Sequence, residues 1–540
     1  MFLRVSAILL TLFLTCSAAN AASKTGRPNI LLIVADDLGY ADLGIFGGDI
    51  QTPNIDALAE QGVLFTHFHT AVLCSPTRAM LLSGNNNHVA GVGRQGSLGL
   101  VGRPVSGYES GLSDRIAPLP KLLRDAGYRT YTIGKWHLGA DEAEWPKAAG
   151  FERSFTLLYG GGSYFDYRSF RAGGSKFVAD GKPTEYPVGE YATTVYTDKL
   201  IEFIEDDKGN DSPFFIYAAY TAPHWPLQVP DDYLDLYRGQ YDDGYDALRE
   251  RRMDSLKEAG IIPLDAELPP RNENITPWAS LDEDQQRKEA RKMELYAALV
   301  DNFDDHIGRL VDYLKDEGLY DNTLIVFMSD NGAAAEDFYN DDNWPEYKAE
   351  TRKNFDNAYE LMGTADSFVS YGPAWAEAGS APFRRHKGYA TQGGIVAPMF
   401  VAGAGVEIDA GFDDSYVTVM DIAPTLLEVA GAKYPDDGSV APMLGESMVG
   451  LLSGSADRVH DDNYITVFSH RGRVFVRQGD WKILTLNGPF DESNFELFNV
   501  VNDPDETENL REAEPEKFAE LLEIWREKRR EYGIIVPRDL

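Results

Sequence analysis

Two pairs of oxygen-bearing side chains follow short apolar runs. Asp36-Asp37 closes NILLIVA, residues 29–35, and Asp330-Asn331 follows TLIVFM, residues 323–328, after one serine. Carboxylates delivered by two strand ends repel one another unless a cation lies between them. Hard divalent ions such as calcium or magnesium take such oxygen ligands. Alone, an Asp-Asp pair reads as a turn or helix cap, and Asp-Asn-Gly is a common turn. Their joint occurrence at two strand ends favours a metal site. Lys135, His137, His224 and Lys387 form a second set, also just past apolar runs or in the basic stretch RRHKGYATQGG. Cations beside a metal suit a tetrahedral oxyanion, because charge-assisted contacts to its oxygens are strong. Each alone reads as a solvated or satisfied core group, and His67, His69 and His88 are left with that reading.

The stretch AVLCSPTRAMLLSG, residues 71–84, adds a candidate nucleophile. Ser75-Pro76-Thr77 looks like a helix start, since proline is tolerated in the first turn. Cys74 would then sit at the helix amino end, where the dipole favours negative charge. Arg78 is four residues on and shares that face one turn away. A plain cysteine nucleophile fits this setting, and so does a buried cysteine acting as a small hydrophobe.

The runs that carry these residues are short and continuous: 29–35, 129–134, 214–220 and 323–328. Such runs suit strands buried on both faces of a mainly parallel sheet. Helical stretches at 54–61, 119–127 and 283–316 alternate with them, which predicts an α/β fold. In open α/β sheets function gathers beyond the carboxyl ends of strands, where these residues lie. The tail differs. Residues 462–467, 473–477, 481–486 and 495–500 read as closely spaced antiparallel strands, and 514–532 as a final helix. This divides the chain into residues 23–455, a catalytic domain, and 456–540, a small α+β domain. Residues 160–190 and 333–380 read as long insertions that line the pocket. Their Tyr164, Phe165, Tyr371 and Trp375 are candidates either to stack on a substrate ring or to pack in the core.

The amino end reads as a secretory leader. Arg4, the apolar run 5–14 and the small-x-small pattern Ala19-Asn20-Ala21 predict removal of residues 1–22 and a periplasmic or secreted location. The apolar run is too short for a good membrane anchor, and Phe13-Leu14-Thr15 is a poor lead-in for a lipid anchor on Cys16. The chain has two cysteines, Cys16 and Cys74, so the mature form has no pair for an internal disulfide. The net charge of −36 disfavours nucleic acid and anionic membranes as partners. Any anionic substrate must be drawn in by a local basic site.

CSPTR resembles the C-x-P-x-R core of the formylglycine-dependent sulfatases. GKWHLG at 134–139, PNILLIVADDLGYADLG at 28–44, PHWPLQ at 223–228, SDNG at 329–332 and HKGYATQGG at 386–394 extend the resemblance over most of the chain, and RQGDWK at 477–482 resembles that family's small carboxy-terminal domain. The match looks closest to bacterial arylsulfatases. The resemblance implies an alkaline-phosphatase-like α/β domain with a large, mainly parallel sheet and a small antiparallel appendage. It implies hydrolysis of aryl or carbohydrate sulfate esters. It further implies that a separate maturation enzyme oxidises Cys74 to formylglycine, whose hydrate attacks sulfur. Carried over residue by residue, Asp36, Asp37, Asp330, Asn331 and residue 74 would hold one calcium ion, in preference to magnesium, with Asp330 a possible base. Arg78 and Lys135 would hold the hydrate, and Lys135, His224 and Lys387 the sulfate. His224 and Lys387 would sit where the leaving oxygen is protonated, and His137 would take the proton that expels sulfate. Two alternatives stay open: a phosphonate or phosphodiester hydrolase of the same superfamily, and a sulfated-glycan-binding protein in which Cys74 is never converted.

Overall fold

The computed structural model describes residues 26–96 and 105–536. The leader, with Cys16, lies outside the described residues. The run NILLIVA forms strand β1, Asn29–Ala35, buried along its whole length. Residues this apolar and β-branched gain about 1.5–3 kcal/mol each when fully buried, so β1 becomes the middle of a layered structure.

The other strands follow in chain order. They are β2 (Gly62–Phe65), β3 (Phe68–His69), β4 (Arg129–Lys135), β5 (Arg153–Leu157), β6 (Phe177–Ala179), β7 (Lys182–Thr184) and β8 (Phe214–Ala219), then β9 (Thr323–Ser329), β10 (Met399–Gly403), β11 (Gly411–Asp413) and β12 (Val417–Thr418). Ten of the twelve make one sheet in the order β11-β2-β10-β9-β1-β8-β4-β5-β6-β7, while β3 pairs with β12. The centre, β9-β1-β8-β4-β5, is parallel. Antiparallel β10 and β6 flank it. The sheet is therefore large, mixed and mainly parallel, with helices packed on it, as the strand–helix alternation predicts.

The helix Glu283–Asp316 is the longest of these. A reciprocal cap starts it: Gln285 N donates to Asp282 Oδ1 at 2.9 Å, and Asp282 N donates to Gln285 Oε1 at 2.9 Å. That satisfies donors that would otherwise be orphaned at a helix start. Among the described residues, no helix is long and apolar enough to cross a membrane.

A four-stranded antiparallel sheet follows: β13 (Ile465–His470), β14 (Arg473–Gln478), β15 (Trp481–Thr485) and β16 (Phe495–Asn499). The first of these lies three residues later than the sequence suggests, because the turn segment Asp461–Tyr464 occupies the predicted start. The strand alternation divides its faces. Phe468, Phe475, Leu484 and Phe498 join the main core. Val467, Val474, Val476, Ile483 and Leu497 face a second core with Leu521 and Trp525 of the helix Pro515–Glu531. Period-two alternation thus lets one sheet serve two cores. A polar clasp fixes it as well. Buried Lys482 donates to Glu506 Oε1 at 2.6 Å, and Glu506 Oε2 accepts from Gln392 N at 2.8 Å, so the small sheet grips the segment that carries Lys387.

Burial also leaves a mark on the histidines. The rings of His88 and His386 are enclosed, and burial pushes their pKa values down to about 3 and about 4 from an ordinary 6.5. The folded chain thus binds fewer protons than the unfolded chain once pH falls through about 6.5, and stability is lost on the acid side. We expect His88→Gln to lose less stability than the parent between pH 6.5 and 5, by about 1–2 kcal/mol. Urea unfolding at both pH values checks this; equal losses would contradict it.

Candidate active site

Register brings the acidic pairs together. Ala35 pairs with Ser329 in the β1–β9 ladder, so Asp36 and Asp330 are the next residues on adjacent parallel strands. Asp330 N then donates to Ala35 O at 3.2 Å, and Asp37 N to Asp330 Oδ1 at 3.2 Å. Asp37 has φ of 69°, a left-handed value that Asp tolerates better than most residues. The turn lets both neighbouring carboxylates face one space. β4 ends in Lys135, and His137, also left-handed at φ 56°, turns back at the same edge. β8 leads into His224. Four adjacent strand ends therefore converge.

Cys74 is the first residue of the helix Cys74–Leu81, as the proline pattern predicts. Its Sγ lies 3.6 Å from Asp37 Oδ1. Arg78, one turn on, is fully buried. Its Nε donates to Asp330 Oδ2 at 2.9 Å and its Nη1 to Lys135 O at 2.9 Å. Lys135 Nζ donates to both Asp36 oxygens, at 2.7 and 2.6 Å. Lys387 Nζ donates to Asp37 Oδ2 at 2.7 Å, and His224 Nε2 is 3.5 Å from the same atom. His137 lies at the rim, where Gln95 Nε2 approaches its Nε2 at 3.1 Å. All ten residues singled out in the sequence thus stand in or beside one site.

The electrostatics favour a further cation. Asp36, Asp37 and Asp330 are buried beside one another. Burial, then the neighbouring acids against Lys135, pushes Asp36 up to about 8. Ligand atoms of Asp36, Asp37, Cys74 and His224 lie within 4.8 Å of one another. Asn331 Nδ2 donates to Asp37 Oδ1 at 2.7 Å, while its buried Oδ1 has no hydrogen-bond partner among the described residues. Buried carbonyl oxygens are seldom left so, and a hard cation would satisfy it. The donor set fits a divalent ion. His224 stands nearer to these oxygens than the sequence assigns it. Burial likewise pushes the Cys74 thiol well up, so the plain thiolate is disfavoured here. Burial first, then Lys135, holds His137 and His224 well below their usual range.

The insertions behave differently from one another. Tyr164 does not present its ring to a ligand; its hydroxyl donates to Thr221 O at 2.8 Å and His224 O at 2.9 Å, tying down the His224 loop. Trp375 is fully buried and donates to Glu289 O at 3.0 Å, and Tyr371 stacks on Tyr296 at 4.4 Å. These three are core residues, whereas Phe165, partly buried, packs on Tyr191. Residues 333–380 hold the helices Pro345–Asn354 and Gly372–Gly379. Their Phe338, Phe355 and Phe368 pack with Phe170 and Trp225 in a separate apolar cluster beside His224. Sequence reading missed Gln95, Tyr217 and Glu336. Tyr217 OH lies 3.4 Å from Arg78 Nη1, and Glu336 Oε2 lies 3.7 Å from Lys387 Nζ. Only spatial neighbourhood marks them.

A large, mainly parallel sheet thus carries buried cations around an acidic cluster at its carboxyl edge, an arrangement that suits a hydrolase of charged esters. Residues 28–432 match the sulfatase family, and 387–530 match the carboxy-terminal region of N-sulphoglucosamine sulphohydrolase. The chain belongs to the sulfatase family and is an enzyme of sulfate ester hydrolysis. An arylsulfatase of Klebsiella aerogenes is 39% identical over 79% of this chain and 92% of its own length. An uncharacterized sulfatase of Schizosaccharomyces pombe is 38% identical over 97% of both chains. The crystal structure of Ps i-CgsB superposes with a TM-score of 0.67 at 25% identity, over 94% of this chain and 93% of that one. A phosphonate monoester hydrolase of Agrobacterium radiobacter shares the fold at a TM-score of 0.56 and 18% identity, over 94% of this chain and 95% of that one.

The glycine run after β5 leaves room for the histidines. A Cβ at Gly160 would lie 2.7 Å from His137 Cε1, and one at Gly161 2.9 Å from His224 Cε1. Neither contact is tolerable without moving a ring, and small misplacements of reacting groups are costly. We expect Gly160→Ala to lower kcat/KM about 10–100-fold with an unchanged melting temperature. Turnover and thermal unfolding check this together; unchanged turnover would contradict it.

Proposed function

We propose that this chain hydrolyses aryl or carbohydrate sulfate esters after Cys74 is converted to formylglycine, with calcium held by Asp36, Asp37, Asp330, Asn331 and residue 74. The observation that carries the reading is Cys74 Sγ at 3.6 Å from Asp37, inside a ring of buried cations. The thiol itself is pushed away from its reactive ionised form by burial. A hydrated aldehyde at the same position needs no thiolate, and that supports the conversion. The divalent ion, when bound, supplies Lewis-acid stabilisation of the nucleophile and of sulfate charge.

The side chains divide the remaining work. Arg78, anchored by Asp330, keeps a fixed positive charge beside residue 74. Lys135 and Lys387 supply the cations that hold sulfate oxygens and stabilise the charge that builds on them. His224 Nδ1 lies 2.6 Å from Trp225 O. It carries its proton there, so the neutral ring presents an unprotonated Nε2 toward the site. Lys387 is raised well above its usual range despite burial, because Asp37 lies against it. Lys387 thus keeps its proton and points it at the site, whereas the neutral His224 has none on Nε2; this supports Lys387 as the donor to the leaving oxygen and His224 as a ligand or orienting group. At His137, the Gln95 amide donates to Nε2, which marks that nitrogen as the unprotonated one; it can take a proton once the amide gives way.

The leader supports export to the periplasm or outside. The second core that one face of the last four strands shares with the final helix supports a small unit from about 456 onward.

Two outcomes test this. A chromogenic aryl sulfate should turn over only with protein made alongside a formylglycine-generating enzyme; equal turnover without it would refute the nucleophile. Lys387→Ala should slow sulfates with poor leaving groups by about 10²–10⁴-fold and those with good leaving groups far less, whereas His224→Ala should slow both alike. A leaving-group series measures the contrast, and identical slopes for the two variants would contradict the assignment.

A further inference from the structure

Beside His137 lies a second pocket, of about 410 Å³, lined in part by Tyr159, Phe170, Arg171, Lys176 and Tyr347. It adjoins the catalytic histidines through one short segment. Tyr159 lines the pocket, and the next two residues, Gly160 and Gly161, run so close to the rings of His137 and His224 that a Cβ on either would collide with them.

Arg171 is the unusual member. Its guanidinium lies over Tyr159 at 5.5 Å, Phe170 at 5.3 Å and Tyr347 at 5.8 Å. Its Nε is buried with no hydrogen-bond partner. Among the described residues no carboxylate forms an ion pair with it. Aromatic faces hold the cation in place but leave its donors open.

A second arginine arrives from the far end of the chain. The β13–β14 hairpin turns at Arg471-Gly472, with φ of 50° and 84°. A two-residue turn with both φ values positive favours Asn-Gly or Gly-Gly, and arginine there carries a conformational cost. Arg471 Cζ lies 5.9 Å from the Trp344 ring centroid, near Tyr347, and it too has no ion pair among the described residues. Arg94, whose buried Nε has no hydrogen-bond partner among the described residues, is a like-charged neighbour. The pocket's own acids do not offset this. Glu350 already accepts from Lys353 at 3.0 Å and Asn354 at 2.9 Å, and Glu346 is exposed.

Guanidiniums without an ion-pair partner among the described residues supply local positive charge in a chain of net charge −36. Such a local positive field draws anions, and arginine's planar fork suits oxyanions. We propose that this pocket, with Arg171 at its wall and Arg471 at its rim, receives a second anionic group, a sulfate or carboxylate carried on the same substrate molecule as the sulfate that is cleaved. The preferred substrate is then a polyanion, such as a glycan with more than one acidic group. The inference rests on the sulfatase reading.

The test separates the two. Binding is measured by calorimetry on the unconverted chain, using one disaccharide with a single sulfate, the same disaccharide with two sulfates, and a version in which a carboxylate replaces the second sulfate. The doubly charged ligands should bind at least tenfold tighter than the monosulfate. Tenfold is about 1.4 kcal/mol, within the reach of one charge-assisted hydrogen bond. Arg171→Gln and Arg471→Gln should each reduce that ratio several-fold, and Arg171→Lys should restore part of it. The carboxylate arm distinguishes a general anion site from one selective for sulfate. No preference for the second charge, or a preference that survives both substitutions, would overturn the proposal. Failure of the converted enzyme to cleave any sulfate ester would instead strike at the sulfatase reading, whatever the binding ratios show.

Discussion

Three carboxylates buried side by side are the constraint on which the rest of the site depends. Asp36, Asp37 and Asp330 cannot be held together in an apolar interior by packing alone, since unpaired buried charge is very costly. Arg78, Lys135 and Lys387 meet that demand, each bonded to one of the acids. The same three cations are those an oxyanion needs. The orphaned Asn331 oxygen and the elevated Asp36 show that the compensation is incomplete. A divalent ion would complete it.

The scaffold serves this arrangement by geometry. Parallel strands place their carboxyl ends at one edge, so a one-residue step beyond a ladder pair delivers Asp36 beside Asp330. Left-handed turns at Asp37 and His137 redirect side chains just where the strands stop. The carboxy-terminal sheet contributes from a distance. Through Lys482 and Glu506 it grips Gln392, and through its first hairpin it brings Arg471 against the Trp344 ring. It is thus part of the catalytic surroundings rather than an ornament on them.

Much of this was legible in the sequence for physical reasons. Buried parallel strands are continuous apolar runs, and β1, β4, β8 and β9 could be read as such. The residues past their ends could then be assigned to one edge. Cys74 and Arg78 were legible because proline marks a helix start. Tyr164, Tyr371 and Trp375 were not resolved, because an aromatic side chain reads alike whether it stacks on a ligand or fills a core; only the bonds to Thr221, His224 and Glu289 and the stacking of Tyr371 on Tyr296 decide. Gln95, Glu336 and the Arg171–Arg471 neighbourhood were invisible for a different reason. They are brought together by long-range packing that leaves no periodic trace in the chain.

The most direct test of the central claim is the divalent ion itself. Protein dialysed against buffer containing calcium, then freed of loose ions, should retain about one calcium per chain by atomic absorption. Asn331→Ala should lower the affinity, as loss of one oxygen ligand requires, while leaving the fold intact by circular dichroism. Protein that retains no divalent ion, or an Asn331→Ala chain that binds calcium as tightly as the parent, would show that the carboxylates are held by the lysines and arginine alone and that the account of the site is wrong.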